Sequence, residues 1–279
     1  MELLKTVRRR SFLSESIYVA LNVALALALV ATIWWTNSLV LAYALIVVSK
    51  WRLFAVRPRF WFAHVQANMV DLIVSTSFVT ELYAVNNAGL STANTWSLLG
   101  VLTLLYVAWL LFLKPRASRK FVVAQAGVAL FFGTATLFMS SFDWWVSGVV
   151  IGAWLIGYAT ARHVLMTYDD ESHILFLSLI WGLVLAEIAW VGYHWTVAYN
   201  IPFTTGLLWP QISIVFVSLG FCVCRAYDSF YHHQKIRMVD VLMPMIFTAC
   251  LTAALLVAVP LVYSVTQCHT FSITCGIAD

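Results

Sequence analysis

Residues 174–197 read ILFLSLIWGLVLAEIAWVGYHWTV, an apolar run with one charged residue, Glu187. A helix that crosses a hydrocarbon layer of about 30 Å needs roughly 20 such residues. This segment therefore predicts a membrane-spanning helix, and the rest of the chain repeats its pattern. Of the 279 residues, 62% are hydrophobic and only 10% charged, with a mean hydropathy of +0.89. Soluble domains carry roughly 25% charged residues. Too few polar side chains remain to cover a water-soluble globule, so lipid must be the second solvent.

Nine apolar stretches can be read: 17–35, 38–56, 60–83, 96–113, 121–139, 145–165, 174–197, 211–225 and 239–264. The second is short before Lys50, and the eighth has room to continue as helix toward Tyr231. The expected fold is thus all-α, a polytopic integral membrane helix bundle of about nine transmembrane helices. Its parts are a basic interfacial segment (1–16), a single bundle (17–265) and a short tail (266–279). Connections between spans are short and leave no room for a soluble domain.

Orientation follows from Lys and Arg, because short loops rich in them stay cytoplasmic. With nine alternating spans all 16 of these residues fall on one side, in five clusters that include Lys50 to Arg59 and Lys114 to Lys120. The amino terminus is expected in the cytoplasm and the carboxyl terminus outside, in a bacterial inner membrane or its equivalent. The basic face predicts contact with anionic headgroups. The tail carries Cys268 and Cys275 on the expected oxidising side, where a disulfide would be stable. Cys222, Cys224 and Cys250 lie within spans.

Some residues are costly where they sit. Counted from residue 60, Asp71 falls about 17 Å into the third span, close to the bilayer centre. At helical spacing His64, Asn68, Asp71 and Ser75 share one face, a polar stripe running in from the cytoplasm. Glu187 falls at a similar depth in the seventh span, with His194 seven residues on. No Lys or Arg lies deep in any span, so neither carboxylate is expected to have a basic partner in the membrane. Two unpartnered acids at matching depth suggest a shared hydrated interior: a small channel or a proton- or cation-coupled secondary transporter, with Asp71, Glu187, His64, Asn68, Ser75 and His194 as its pathway. Gln125 and Asn22 are further buried polar candidates.

Two other readings stand beside this one. The cytoplasmic loops RHVLMTYDDESH and RAYDSFYHHQKIR hold His163, His173, His232 and His233 among acids, ligand types that suit zinc, iron or manganese. They would make a lipid-modifying enzyme with a metal site at the cytoplasmic face, although the spacings match no recognised metal set. Alternatively, 13 Trp, 11 Tyr and 18 Phe suit a structural or assembly subunit that packs against partner membrane subunits or further copies of itself. Residues 50–58, KWRLFAVRP, fit the KxxxxxxRP pattern of lipid phosphatases, but the companion PSGH and SR-then-His motifs are missing, and a basic interfacial anchor explains them better. Composition specifies no cofactor, and nucleic acid is not an expected partner.

Overall fold

The computed structural model describes residues 12–51, 55, 57–141, 144–195, 198–200 and 208–255. Among the described residues ten α-helices follow one another: α1 Phe12–Thr36, α2 Leu39–Ser49, α3 Trp61–Ala67, α4 Met69–Asn87, α5 Thr92–Ala108, α6 Arg119–Ser140, α7 Val146–Leu165, α8 Ile174–Trp195, α9 Ile212–His233 and α10 Met238–Ala253. Between α8 and α9 two three-residue strands, β1 Ala198–Asn200 and β2 Leu208–Pro210, pair antiparallel with Tyr199 opposite Trp209. Six helical segments are long and apolar enough to cross a membrane: Ser14–Thr36, Thr92–Leu113, Arg119–Ser140, Val146–Leu165, Ile174–His194 and Ile212–His233. The chain is thus a multi-pass, helical integral membrane protein.

The expected second, third and ninth spans take a different form. The second is an eleven-residue helix, α2, capped by the Ser38 hydroxyl at Leu41 N and ended at Lys50. The third is not one helix. A short helical turn at Pro58–Phe60 leads into α3, which stops at Asn68, and α4 starts afresh at Met69. Asn68 has φ −110° and ψ 10°, outside helical geometry, and its amide donates back to the His64 carbonyl at 2.8 Å. The ninth is helical as α10 over Met238–Ala253 with Pro244 inside it; the remainder and the Cys268–Cys275 pair lie outside the described residues. The eighth runs on as helix to His233, beyond its expected apolar end.

The chain divides into two compact units near residue 125. In the first, α4 packs against α1, α2 and α5, which explains its burial: Val74, Phe78, Val79, Leu82 and Val85 are enclosed, as are Ser75, Ser77 and Glu81. Around it, α1 turns Ala26, Leu29 and Ile33 inward and α2 turns Ala42 and Ile46 inward, while Leu21, Leu27, Val40 and Val48 stay exposed. Apolar residues facing outward are what a lipid solvent permits. Asn37 adopts φ 46° in the α1–α2 turn, and its side-chain amide exchanges 2.9 Å hydrogen bonds with that of Asn87 at the end of α4.

At its end α5 widens into a π-helical turn, Trp109–Leu113. Such turns leave carbonyls without their usual partners. The Tyr18 hydroxyl donates to the Leu110 carbonyl at 3.1 Å, and the Gln125 amide donates to the Leu113 and Arg116 carbonyls at 2.6 and 2.9 Å.

In the second unit the main contact is between α7 and α8. It is close because of two glycines. A Cβ built on Gly157 would lie 3.1 Å from the Gly182 Cα, and one on Gly182 would lie 2.9 Å from the Trp154 carbonyl oxygen. Small residues let membrane helices approach and gain dispersion energy. The inner face of α8 is accordingly small or compact, with Ser178, Leu185, Ala186 and Ala189 buried. A second contact joins α9 to α10, where the Thr248 hydroxyl donates to the Ser218 carbonyl at 3.1 Å.

Candidate functional site

The helix break at Asn68 decides the surroundings of Asp71. Because α4 starts at Met69, Asp71 lies in its first turn. Sixteen residues, about 24 Å of helix, separate it from Asn87 at the other end of α4. The expected depth is counted from residue 60, in a segment that belongs to another helix.

The expected absence of a basic partner is corrected. Asp71 Oδ2 is bound by the Nζ atoms of Lys50, which ends α2, and of Lys114, which follows α5, the latter at 2.9 Å. The Trp109 indole nitrogen donates to Oδ1 at 3.3 Å. Side-chain exposures are 12% for Asp71, 9% for Lys50 and 36% for Lys114. Lys50 reaches Asp71 because α2 ends there, and its ammonium also donates to the Asp71 carbonyl at 3.4 Å. Two ammonium groups on one carboxylate leave one excess positive charge. The cluster ties the end of α2, the start of α4 and the end of α5 together.

Above the cluster α4 carries buried hydroxyls. The Ser75 side chain, fully buried, donates to the Asp71 carbonyl at 2.7 Å and accepts from the Tyr106 hydroxyl at 3.2 Å. Tyr106 stacks on Phe78 with ring centroids 4.2 Å apart. One turn further out, the hydroxyls of Tyr43 and Thr80 are 2.6 Å apart. Glu81 follows and is buried, 3% exposed. Polar side chains thus extend along α4 from Asp71 to Glu81, ten residues and about 15 Å.

The other expected pathway residues separate. His64 is exposed on α3, so the stripe His64, Asn68, Asp71 and Ser75 is broken at its second member; Asp71 and Ser75 stay together. Glu187 belongs to the second unit and is exposed on α8 rather than turned to an interior. The reason is the α7–α8 contact, which takes the small-residue face of α8 inward and leaves the Glu187 face outward. His194 is exposed on that same face, its ring edge-on to Trp190 at 5.3 Å. Asn22 donates locally to the Tyr18 carbonyl.

The loop after α7 and the end of α9, both in the second unit, form local pairs. Tyr168, buried, donates to Asp228 Oδ1 at 2.9 Å and meets Tyr227 and Tyr231 edge-on. The Tyr227 hydroxyl donates to Glu171, whose other oxygen accepts from the His173 backbone N–H at 2.7 Å. Both donors favour the charged carboxylate, the tyrosine more, and hold Glu171 below its ordinary pKa. His232 Nδ1 lies 2.9 Å from the Asp228 carbonyl, and His233 contacts Arg237 and Asp240. Among the described residues no group of three or more His, Cys, Asp and Glu is arranged to hold a metal ion. His163, His173, His232 and His233 therefore do not come together as a ligand set there.

Sequence reasoning missed Lys50, Lys114, Trp109 and Tyr106 as partners of the polar face. The available signal was Pro58 followed by the basic and aromatic run RFWF, which marks an interfacial segment and moves the start of the third span past it. Compared with models of known protein families, with curated proteins and with solved structures, the chain matches none.

Proposed function

We propose that this membrane protein is a small proton- or cation-coupled transporter in which the polar side chains along α4 line the pathway and the Lys50–Asp71–Lys114 cluster is its cytoplasmic gate. The supporting observation is the burial of Asp71, Ser75, Ser77 and Glu81 on one helix enclosed by three others. Apolar side chains would pack such a helix at lower desolvation cost. Hydroxyls, which both donate and accept, suit proton transfer along the Ser75–Tyr106 and Thr80–Tyr43 pairs.

In this reading the gate works by charge. While Asp71 is ionised it holds two ammonium groups that would otherwise repel each other. A proton arriving on Asp71 removes the attraction, and the ends of α2 and α5 separate from α4. The proposal includes nine spans, a cytoplasmic amino terminus, and residence in a bacterial inner membrane or its equivalent. Glu187 and His194, exposed on α8, have no part in the pathway.

The test is electrical. Proteoliposomes adsorbed on a capacitive sensor are stepped in pH, Na+ or K+, and the displaced charge is recorded. The wild type is expected to give a transient for one of these ions, abolished by Asp71→Asn and by Glu81→Gln. Wild-type currents equal to those of empty vesicles for all three steps refute the proposal. A second reading, a subunit of a larger membrane assembly, draws on the outward face of α8.

A further inference from the structure

That outward face has a regular composition. Phe176, Ile180, Leu183, Glu187, Trp190 and His194 are all exposed, and they follow one another at intervals of four, three, four, three and four residues. This is the heptad spacing of a helix seam, in which alternate three- and four-residue steps keep one narrow stripe facing a partner helix. The opposite face of α8 is already occupied, by α7 through Gly182 and its neighbours. One polar residue, Glu187, interrupts the inner part of the seam. It lies thirteen residues into a 22-residue helix, about 20 Å from the cytoplasmic end and within the hydrocarbon layer.

We infer that this seam is a self-association surface, on which α8 of a second copy of the chain packs in parallel and the two Glu187 side chains meet. Lipid offers a carboxyl group no hydrogen-bond partner, and a carboxylate facing lipid is strongly disfavoured. A protonated carboxyl is both donor and acceptor, so it is complementary to another carboxyl or carboxylate. Two copies in one membrane share orientation. A two-fold axis along the membrane normal therefore brings each seam residue to the same depth as its counterpart, and Glu187 meets Glu187 without any further adjustment. The carboxyl in the inner part of the seam also fixes register, since a slip of one turn would take each one away from its counterpart. This inference is independent of the α4 pathway and fails or stands separately from it.

The experiment uses the full chain in vesicles of phosphatidylcholine and phosphatidylglycerol. A photoreactive benzophenone side chain is placed at position 183 in the seam or, as a control, at position 104 on the exposed face of α5, where Leu104 is 71% exposed. Position 183 is expected to yield a covalent dimer and position 104 lipid adducts only. In parallel, the dimer fraction is counted by single-molecule photobleaching as the protein-to-lipid ratio is varied. Glu187→Leu is expected to raise the dissociation constant about 3- to 20-fold, the range for one interhelical hydrogen bond in a membrane, and Glu187→Gln, which retains donor and acceptor, to stay within about 2-fold of wild type. Lipid adducts alone from position 183, equal dimer yields from both positions, a different membrane protein cross-linked there in place of the second copy, or a Glu187→Leu chain that dimerises like wild type each overturn it.

Discussion

Replacing Asp71 by Asn keeps the side chain's shape and removes its charge, leaving the two ammonium groups of Lys50 and Lys114 with no carboxylate between them. Lys50 is 9% exposed and Lys114 36%, so the two do not suffer alike. Removing one partner of a buried pair costs about 3–5 kcal/mol. The low end applies, because a lysine stem can swing its ammonium toward water; the expected loss is about 3 kcal/mol, nearly all through Lys50. Lys114 is open enough that its share stays under about 1 kcal/mol. A double-mutant cycle isolates these contributions. Lys50→Met in the Asp71→Asn background should restore much of the loss, giving a coupling of about 2 kcal/mol, while the corresponding cycle with Lys114→Met should give less than half of that. The assay is reversible unfolding in mixed micelles by SDS titration, followed by tryptophan fluorescence, to which Trp109 beside Asp71 contributes directly. Effects of Lys50→Met and Asp71→Asn that add to within about 0.5 kcal/mol would show that the two side chains do not share an interaction, and the gate would have no physical basis.

Gly182→Ala should cost about 1–3 kcal/mol, because the new methyl meets the Trp154 backbone oxygen at 2.9 Å and α7 must move away; Gly127→Ala, with nothing within 4 Å of the added carbon, is the control, and equal stabilities by the same SDS titration would contradict the close contact. Tyr227→Phe should return Glu171 toward its ordinary carboxylate pKa, read from the carboxyl carbon shift in NMR; the lowered value in the folded chain means that this pair stabilises above the usual carboxylate range and ceases to do so as pH falls through the lowered value. An unchanged titration in the variant would remove the tyrosine from the explanation. Asn37→Ala should lose about 1–2 kcal/mol, from a backbone at φ 46° that alanine adopts poorly and from the amide pair with Asn87, whereas Asn37→Gly should lose only the amide part; equal losses in thermal unfolding of the two variants would exclude backbone strain.

Hydrophobic length made the long helices legible: the run at 174–197 becomes α8, Ile174–Trp195, with its boundaries nearly as read. Counting hydrophobic residues does not reveal an interruption as small as Asn68, where one residue leaves helical geometry while the surrounding composition stays apolar. The interruption puts Asp71 in the first turn of a new helix, beside lysines that are remote in sequence and reach it through side-chain length. Glu187 was misplaced for another reason. Polarity suggests an inward position, but in lipid burial is decided by which face packs closely, and Gly182, Ala186 and Ala189 make the opposite face of α8 the tighter one. The small-residue spacing was visible in the sequence and outweighs the carboxylate. Hydroxyl pairs such as Tyr43 with Thr80 join different helices, and helix adjacency is not encoded in any local pattern.

The shortness of α2 has a consequence for the lipid itself. Its eleven residues extend about 17 Å, roughly half the hydrocarbon thickness, and Val40, Leu41, Val47 and Val48 line its open flank. In a bilayer a flank this short would be matched by local thinning, with headgroups drawn toward Lys50; short-chain lipids are then expected to fit it with less distortion than long-chain ones.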